Sequence, residues 1–343
     1  MKRVTIKDIA NHLSISVSTV SRALANDKNI RRETRDKIFR AADELNYRRN
    51  RMAVSLRSGR TQTVGVVVEE MLSPYVAQTL RGLQNVLQPE GINILVACSH
   101  YDCVQEQRNI QSMISASVDG IVIYPCHGSG NIGLFQSLIA RGMPMVFMGR
   151  NPGGVEASEV VTNDYDKAYF LVEQIVRSGR KKIAHVSGND KSPYFENIRN
   201  AYADALKRFD FTPEPDLIVE AAPKFEGGVD AADRLLDSGR EFDAVFVAGD
   251  LQAIGVMNRL LQRGVKVPGD VAVAGYAGSH LSRMVFPQLT TVEPPLVEMG
   301  EKAAQLLLEK IDDPDSPVCS VTVDAKIELR SSSHGQTIES SVK

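Results

Sequence analysis

The sequence is poor in the residues that mark disulfide scaffolds, metal centres and membrane proteins. It has no tryptophan, and its four cysteines, Cys98, Cys103, Cys126 and Cys319, form no Cys-x-x-Cys pair. This spacing predicts neither a zinc site nor a redox motif. No apolar run approaches the roughly 18 residues of a membrane span, and the first residues lack the apolar core of a secretion signal. We therefore expect a cytoplasmic protein without a metal or a cofactor.

The net charge is small, but charge is strongly polarised along the chain. Residues 1–60 contain 15 Lys/Arg against 6 Asp/Glu, whereas the remaining 283 residues contain 25 Lys/Arg against 36 Asp/Glu. A basic head on an acidic body is typical of a chain whose head alone contacts nucleic acid. A solvated basic surface is the alternative. The length of 343 residues indicates two or three domains.

The basic head shows the spacing of three short helices. Apolar residues recur at helical intervals within residues 6–13, 17–24 and 38–45. Ser16 precedes the second segment, where its side chain can cap the helix N-terminus. Residues 26–29 read as a loop, and residues 48–57 form a basic, amphipathic stretch that is a candidate linker. The pattern therefore predicts a small all-α head.

From Thr63 onward, short β-rich runs alternate with helical patterns. The predicted strands are residues 64–68, 93–97, 120–124, 145–148, 182–186, 217–219, 244–248 and 271–275. The predicted helices are residues 77–87, 105–115, 134–141, 168–178, 196–208, 229–237, 253–263 and 297–311. This alternation is typical of parallel sheets joined by right-handed crossovers. We expect an α/β body of two doubly wound parallel-sheet lobes.

The second helix of the head has the composition of a DNA-reading helix. A helix-turn-helix unit presents small and polar side chains from the start of its second helix to the major groove. This interpretation puts Val17 and Ser18 against base edges and Arg22 on a guanine. Three hydroxyl residues would then lie near phosphates: Ser16, Thr19 and Ser21. The alternative is an ordinary helical hairpin with serines on its surface.

Several motifs in a fixed order resemble one known family. In the head they are Thr-Ile-Lys-Asp-Ile-Ala at residues 5–10, the serine-rich run at 15–24, Glu-Thr-Arg at 33–35 and Ala-Ala-Asp-Glu-Leu-Asn-Tyr at 41–47. In the body they are residues 118–123, 264–271, 275–276, 287–292 and 299–300. Together they resemble the lactose-repressor/galactose-repressor (LacI/GalR) family of transcriptional regulators over nearly the whole chain.

The resemblance implies a function and a division into domains. It implies a homodimeric, nucleoid-associated regulator, most often a repressor, that binds pseudo-palindromic double-stranded operator DNA. It also implies a periplasmic-binding-protein-like body that senses a sugar or sugar derivative between its lobes. The implied domains are a helix-turn-helix head at 1–47, a hinge helix or linker at 48–61, one lobe at 62–161 plus 291–325, and a second lobe at 162–290 plus 326–343.

Further DNA contacts follow from the resemblance alone. Leu56 matches a leucine that the family wedges into the minor groove, which unstacks one base step and kinks the duplex. The resemblance also implies DNA contacts for Thr5, Asn26, Asn50, Ala53 and Arg57. A linker residue that packs on the body is the alternative for Leu56. The family's proline in this segment is absent, because Arg48 and Arg49 follow Tyr47 directly.

The resemblance implies an effector site at the ends of the strands of the body, where open α/β sheets place ligands. The matching residues are Ser73, Tyr75, Val76, Tyr124, Arg150, Arg199, Asp250 and Tyr276. Arg199 is expected to open a helix of the second lobe. Plain wall packing is the alternative for the tyrosines, and a surface ion pair is the alternative for the arginines.

Departures from the family pattern bear on the effector. Gly149, Gly249 and Ala277 stand where the family often has Asp, Asn and Asp, and the common Asp-Asn pair appears inverted at residues 163–164. Two guanidiniums with few carboxylates favour an anionic effector, a sugar acid or a sugar phosphate. In the competing interpretation, Arg150 pairs internally with Asp164 or Asp250, and a neutral or aromatic ligand stacks on the tyrosines. A nucleoside, or no effector, also stays open.

Two further function classes find weaker support. Residues 128–133 spell Gly-x-Gly-x-x-Gly between a predicted strand and a predicted helix, as a dinucleotide enzyme requires. However, three residues separate the strand from the first glycine, and the next strand ends in Gly149-Arg150 rather than in an acid. No nucleophile lies beside a base, so we expect no catalytic residues. A solute-binding protein would not need the basic head.

Overall fold

The computed structural model describes residues 4–24, 27–47, 59–71, 74–126, 130–188, 193–278 and 280–334. The chain divides into two compact units, Met1–Thr61 and Gln62–Lys343. The first is a helical head and the second is an α/β body. Among the described helices, none combines the length and the apolar composition needed to cross a membrane.

Three helices build the head: α1 (Ile6–Leu13), α2 (Val17–Leu24) and α3 (Arg32–Glu44). All three contribute to one small core, whose buried side chains are Ile9, Ala10, Val20, Ala23, Ile38, Ala41 and Ala42. These residues follow the helical spacing read from the sequence. The three predicted helices are therefore confirmed.

The first sheet of the body contains six strands. They are β1 (Thr63–Val68), β2 (Asn93–Cys98), β3 (Gly120–Ile123), β4 (Met145–Met148), β5 (Ser158–Thr162) and β11 (Ser320–Val323). All neighbouring strands are parallel, in the order β11-β5-β4-β3-β1-β2. The chain thus returns to this sheet with a strand from near its C-terminus.

Helices cover both faces of the first sheet. The buried side chains of one face pack against α4 (Pro74–Leu87) and α11 (Leu296–Asp312). Those of the other face pack against α5 (Cys103–Ser115) and α6 (Ile132–Ala140). Helices α4 and α11 cross so closely that a Cβ added to the glycine on either one, Gly82 or Gly300, would collide with the facing backbone.

The second sheet has the same construction with four strands. They are β6 (Ile183–Gly188), β7 (Ile218–Ala221), β8 (Ala244–Val247) and β9 (Ala272–Ala274), in the parallel order β7-β6-β8-β9. One face is covered by α7 (Asp164–Arg177) and α8 (Pro193–Lys207). The other face is covered by α9 (Phe225–Asp237) and α10 (Asp250–Gln262).

A small antiparallel ribbon, β10 (Thr291–Glu293) with β12 (Lys326–Glu328), lies where the chain passes between the two sheets. Asn163, directly after β5, binds the chain segment that follows β11. Its amide donates to Asp324 Oδ1 over 2.5 Å, and its carbonyl oxygen accepts from the Ala325 backbone N–H over 3.1 Å. These bonds tie two of the crossing segments together.

The eight strands predicted for the body are all present, and the predicted architecture of two doubly wound parallel-sheet lobes is confirmed. Four strands of the described residues were not predicted: β5, β10, β11 and β12. The strand β11 has only its last residue buried, so the sequence shows no continuous apolar run there. Its place is set by pairing with β5, more than 150 residues earlier in the chain.

Candidate functional site

The start of α2 gathers three hydroxyl groups. Ser16 Oγ accepts from the Thr19 backbone N–H over 3.1 Å, which confirms the predicted N-cap. The same oxygen lies 2.8 Å from both Ser18 Oγ and Thr19 Oγ1. A helix N-terminus attracts anions because its backbone N–H groups and its dipole point outward. This cluster of hydroxyl groups is therefore suited to binding a phosphate oxygen.

The exposed face of α2 carries the residues expected at base edges. Val17 is 37% exposed, although it is apolar, while Val20 on the opposite face is fully buried. Ser18 and Arg22 are exposed as well, and Ser21 is half-buried. Since the buried face fixes the rotation of the helix in the head, these four side chains stay available to a partner.

Arg22 has a partner that sequence reasoning missed. Its Nε donates to Asp27 Oδ2 over 2.7 Å, and Asp27 Oδ1 accepts from the Asn29 backbone N–H over 2.9 Å. The hydrogen bond from Arg22 is the main reason why the pKa of Asp27 lies below its usual value. Because only Nε is used, the bond orients the guanidinium and leaves its two terminal nitrogens for another acceptor.

Thr5 lies at the start of α1, where its backbone N–H and its hydroxyl both donate to Asp8 Oδ2 over 2.7 Å. Its hydroxyl proton is therefore engaged inside the head. The other predicted DNA-contacting residues lie outside the described residues: Asn26, Asn50, Ala53, Leu56 and Arg57.

A cavity of about 210 Å³ lies in the body between the carboxyl ends of the two parallel sheets. Loops after β1, β3 and β4 form one wall, and loops after β8 and β9 form the other. Six aromatic residues line it: Tyr75, Tyr101, Tyr124, Tyr194, Phe195 and Tyr276. This is the place where open α/β sheets bind ligands.

The aromatic rings of the cavity hold one another in place. Tyr75 and Tyr124 meet edge to face with ring centroids 5.7 Å apart. Tyr194 contacts Tyr276 at 6.2 Å, and its hydroxyl donates to the Ala248 carbonyl oxygen over 3.0 Å. Burial raises the pKa of all four phenols well above the ordinary value. The rings therefore form a neutral, amphipathic wall.

Asp164 supplies a carboxyl group to this wall. Its Oδ1 accepts from Thr162 Oγ1 over 2.5 Å and from the Tyr276 hydroxyl over 3.0 Å. Burial raises the pKa of this carboxyl from 3.8 to about 6, against the lowering effect of its two hydrogen bonds. The carboxyl is therefore placed to accept a hydrogen bond from a ligand and to respond to pH near 6.

Arg150 lines the cavity but is already paired. Its guanidinium forms an ion pair with Glu69 and donates Nε to the Pro125 carbonyl oxygen over 3.0 Å. The internal pair considered for Arg150 thus exists, although its partner is Glu69 rather than Asp164 or Asp250. Among the described residues, the cavity wall holds Glu69, Glu70 and Asp164 against this one cation. The predicted excess of positive charge is therefore wrong.

Two residues predicted to contact the effector are not among the residues that line the cavity. Arg199 lies in the middle of α8, because this helix begins at Pro193 rather than at residue 199, and its Nη2 donates to Glu220 Oε1 over 2.7 Å. Asp250 is buried, and its Oδ1 accepts from Thr291 Oγ1 over 2.6 Å. Helix register explains the first case, and a structural hydrogen bond explains the second.

The remaining effector predictions meet at one place. Tyr75, Val76, Tyr124, Arg150 and Tyr276 all line the cavity, while Ser73 lies outside the described residues. The backbone at Gly149 is left-handed, with φ of +75°, which favours glycine over the family's aspartate, and a Cβ there would lie 3.5 Å from the Tyr124 ring.

Sequence reasoning missed Tyr194 and Phe195, although a signal for them exists. The first strand of each lobe is followed by a Ser-Pro-Tyr motif, at residues 73–75 and at residues 192–194. A helix begins at the proline of each motif, α4 at Pro74 and α8 at Pro193, and each tyrosine lines the cavity. The two lobes therefore contribute equivalent aromatic residues from equivalent positions.

Comparison with known proteins matches both units of the chain. Residues 5–50 match the family described as "Bacterial regulatory proteins, lacI family", and residues 172–333 match the "Periplasmic binding protein-like domain". The ribose operon repressor of Haemophilus influenzae is 30% identical over 330 residues, which cover 96% of this chain and 98% of that protein. Catabolite control protein A of Priestia megaterium is 31% identical over 337 residues, 96% and 99% of the two chains.

Solved structures agree with these sequence relatives. The transcriptional regulator CelR in complex with cellobiose is 27% identical with a TM-score of 0.73, and the match covers 96% of this chain and all of that one. The lac repressor dimer bound to operator is 22% identical with a TM-score of 0.87, covering 97% and 99% of the two chains, and shares the fold. None of these relatives is named as an enzyme. The chain belongs to the lacI family of bacterial regulatory proteins.

Proposed function

We propose that this protein is a dimeric repressor whose affinity for operator DNA is controlled by a neutral, hydroxyl-rich small molecule of the sugar class bound in the cavity of the body. The observation that carries the proposal is the cavity wall, which combines aromatic faces with hydrogen-bonding groups and lacks a spare cation among the described residues. Such a wall packs against the C–H faces of a sugar ring and hydrogen-bonds its hydroxyl groups.

The charges of the cavity favour a neutral ligand over an anionic one. The Arg150 guanidinium is neutralised by Glu69, while Asp164 adds a further acidic group. A phosphate or carboxylate placed here would lie beside these carboxyl groups, which repel it. A sugar hydroxyl instead donates to a carboxylate oxygen and accepts from a guanidinium nitrogen.

The names of the relatives support the same ligand class. One relative is a ribose operon repressor, and one structural neighbour was solved with cellobiose. A further neighbour, a sugar-binding regulator of Escherichia coli that is 25% identical with a TM-score of 0.70, was solved with phosphate. The cavity wall of this chain supports the neutral class, because it offers an anion no unpaired cation among the described lining residues.

On the DNA side, we propose that α2 enters the major groove. Val17, Ser18 and Arg22 would meet base edges, and the hydroxyl cluster at the start of the helix would meet phosphates, a division of labour typical of helix-turn-helix heads. The contacts proposed for Asn26, Asn50, Ala53, Leu56 and Arg57 rest on the family resemblance. A regulator that acts in this way works on the nucleoid.

We also propose that the body pairs two chains, so that two heads read the two halves of a pseudo-palindromic site. The support is an exposed apolar pair near the end of the second lobe. Met284 is 73% exposed and Phe286 is 82% exposed. Two large apolar side chains that are exposed only two residues apart are typical of an interface. The functional domains would be residues 1–47, 48–61, 62–161 with 291–325, and 162–290 with 326–343.

Calorimetry with a panel of neutral sugars and their matched sugar acids and phosphates tests the ligand class. We expect a neutral sugar to bind, and the Tyr75→Ala variant to bind it at least tenfold more weakly, about 1.4 kcal/mol, because a stacking ring is lost. Phe170→Ala, which removes an exposed ring outside the cavity, is the matched control. Binding of the acidic members alone would contradict the proposal.

A further inference from the structure

A thiol, an imidazole and a carboxylate meet at the rim of the cavity. Cys98 Sγ lies 3.5 Å from His100 Nδ1, and the same nitrogen lies 3.9 Å from Glu70 Oε2. The three ligand atoms all lie within 4.8 Å of one another. One nitrogen thus faces both a sulfur and an oxygen, so the three groups converge on one point.

The sheet brings these residues together. Strands β1 and β2 are parallel neighbours, with Val68 in register with Cys98. Glu70 and His100 each lie two residues beyond this pair, so both belong to loops at the same edge of the sheet. Residues about 30 positions apart are therefore placed side by side by backbone pairing, independently of any ligand.

The distances suit a tetrahedral zinc ion. Zinc binds thiolate sulfur at about 2.3 Å and imidazole nitrogen at about 2.0–2.1 Å, which places the two ligand atoms roughly 3.6 Å apart. The observed separation of Cys98 Sγ from His100 Nδ1 is 3.5 Å. The Glu70 oxygen lies 3.9 Å from His100 Nδ1, whereas a tetrahedral zinc site needs roughly 3.4 Å, so the partly exposed Glu70 side chain must move inward by about half an ångström or more.

We propose that Cys98, His100 and Glu70 form a zinc site at the rim of the cavity. A thiolate and a carboxylate neutralise the dication, and the neutral imidazole completes a soft-to-borderline ligand set that disfavours Mg²⁺ and Ca²⁺. The His100 side chain is 69% exposed, so water can fill the fourth position. The site lies beside the effector cavity, because Glu70 also lines it.

Zinc binding at this site displaces the thiol proton. The Cys98 thiol donates a hydrogen bond to the Glu69 carbonyl oxygen over 3.2 Å. The proton leaves when the sulfur coordinates zinc, so the apparent affinity for zinc rises with pH.

Cobalt substitution tests the site in the full-length, untagged protein after treatment with a chelator. Wild type is expected to bind one Co²⁺ per chain with a thiolate-to-cobalt charge-transfer band, which Zn²⁺ then removes. Cys98→Ser is expected to lack the band, and His100→Ala to bind Zn²⁺ at least tenfold more weakly. Cys319→Ser and His12→Ala, which change a cysteine and a histidine outside the cluster, are expected to match wild type.

The assay decides in both directions. Thermal unfolding without metal checks that each variant keeps its fold. The proposal is overturned if wild type shows no thiolate band, if Cys98→Ser keeps it, or if His100→Ala binds Zn²⁺ as tightly as wild type does. Loss of the band in Cys319→Ser would place the thiolate ligand elsewhere and overturn it too.

Discussion

Replacing Asp164 by Asn is expected to stabilise the body above pH 6, because the carboxyl lies in the cavity wall at an energetic cost. Burial raises its pKa in the folded protein to about 6 from 3.8. A raised carboxyl pKa means that folding favours the protonated form. The stability from this group is complete below about pH 4, and it is lost as the pH rises through about 6. Asparagine carries no charge at any pH.

The magnitude follows from the two pKa values. A carboxyl whose pKa rises from 3.8 to about 6 costs up to about 3 kcal/mol of folding free energy at pH 8, and roughly 1.4 kcal/mol of this cost develops between pH 5 and pH 8. The amide oxygen of Asn can still accept from Thr162 Oγ1 and from the Tyr276 hydroxyl, as Oδ1 of Asp164 does. The charge is therefore the main change.

Urea unfolding of wild type and Asp164→Asn at pH 5 and pH 8 measures this difference. The gain in unfolding free energy from the substitution should be larger at pH 8 by roughly 1.4 kcal/mol. Asp166→Asn is the matched control, since Asp166 is exposed in the same first turn of α7 and should show no such difference. An equal effect of Asp164→Asn at both pH values would refute the reasoning.

Three further predictions concern DNA binding and assembly. Arg22→Ala should weaken operator binding by about 1–3 kcal/mol and relax the preference at one base pair. Asp27→Ala, which frees the guanidinium, should change operator binding less. Gel shifts with single-base operator variants measure the effect of each substitution. Phe286→Ser with Met284→Ser should shift the protein towards monomer in sedimentation velocity, and an unchanged dimer would place the interface elsewhere. Leu56→Ala should reduce the operator bend in a circular-permutation gel, and the wild-type bend would exclude Leu56 as the wedge.

Much of the fold follows from periodicity. Strands such as β1 and β4 are continuous apolar runs because helices bury both of their faces, and the sequence identifies them directly. Helix α8 begins at Pro193, three residues before the predicted start at residue 196, and its first turn carries the aromatic residues Tyr194 and Phe195 that line the cavity. The edge strand β11 has a polar, exposed pattern, so only its long-range pairing defines it.

The sequence predicted those residues of the site that follow the ends of strands. Tyr75, Tyr124 and Arg150 follow strands and reach the cavity. The direction of Arg199 depends on the register of α8, and the pairing of Arg150 depends on a glutamate about 80 residues away. Neither leaves a local signal in the sequence. The charge of the cavity could therefore be judged only from the structure.

The central claim is that the ligand of the cavity controls the affinity of the protein for operator DNA. Its most direct test is the affinity of the full-length protein for a selected operator, measured by fluorescence anisotropy with and without the neutral sugar found by calorimetry. The account predicts that a saturating sugar changes the operator affinity of wild type at least fivefold, a coupling of about 1 kcal/mol, and that Tyr75→Ala needs a higher sugar concentration for the same change. A sugar that binds the body and leaves operator affinity unchanged would contradict the account.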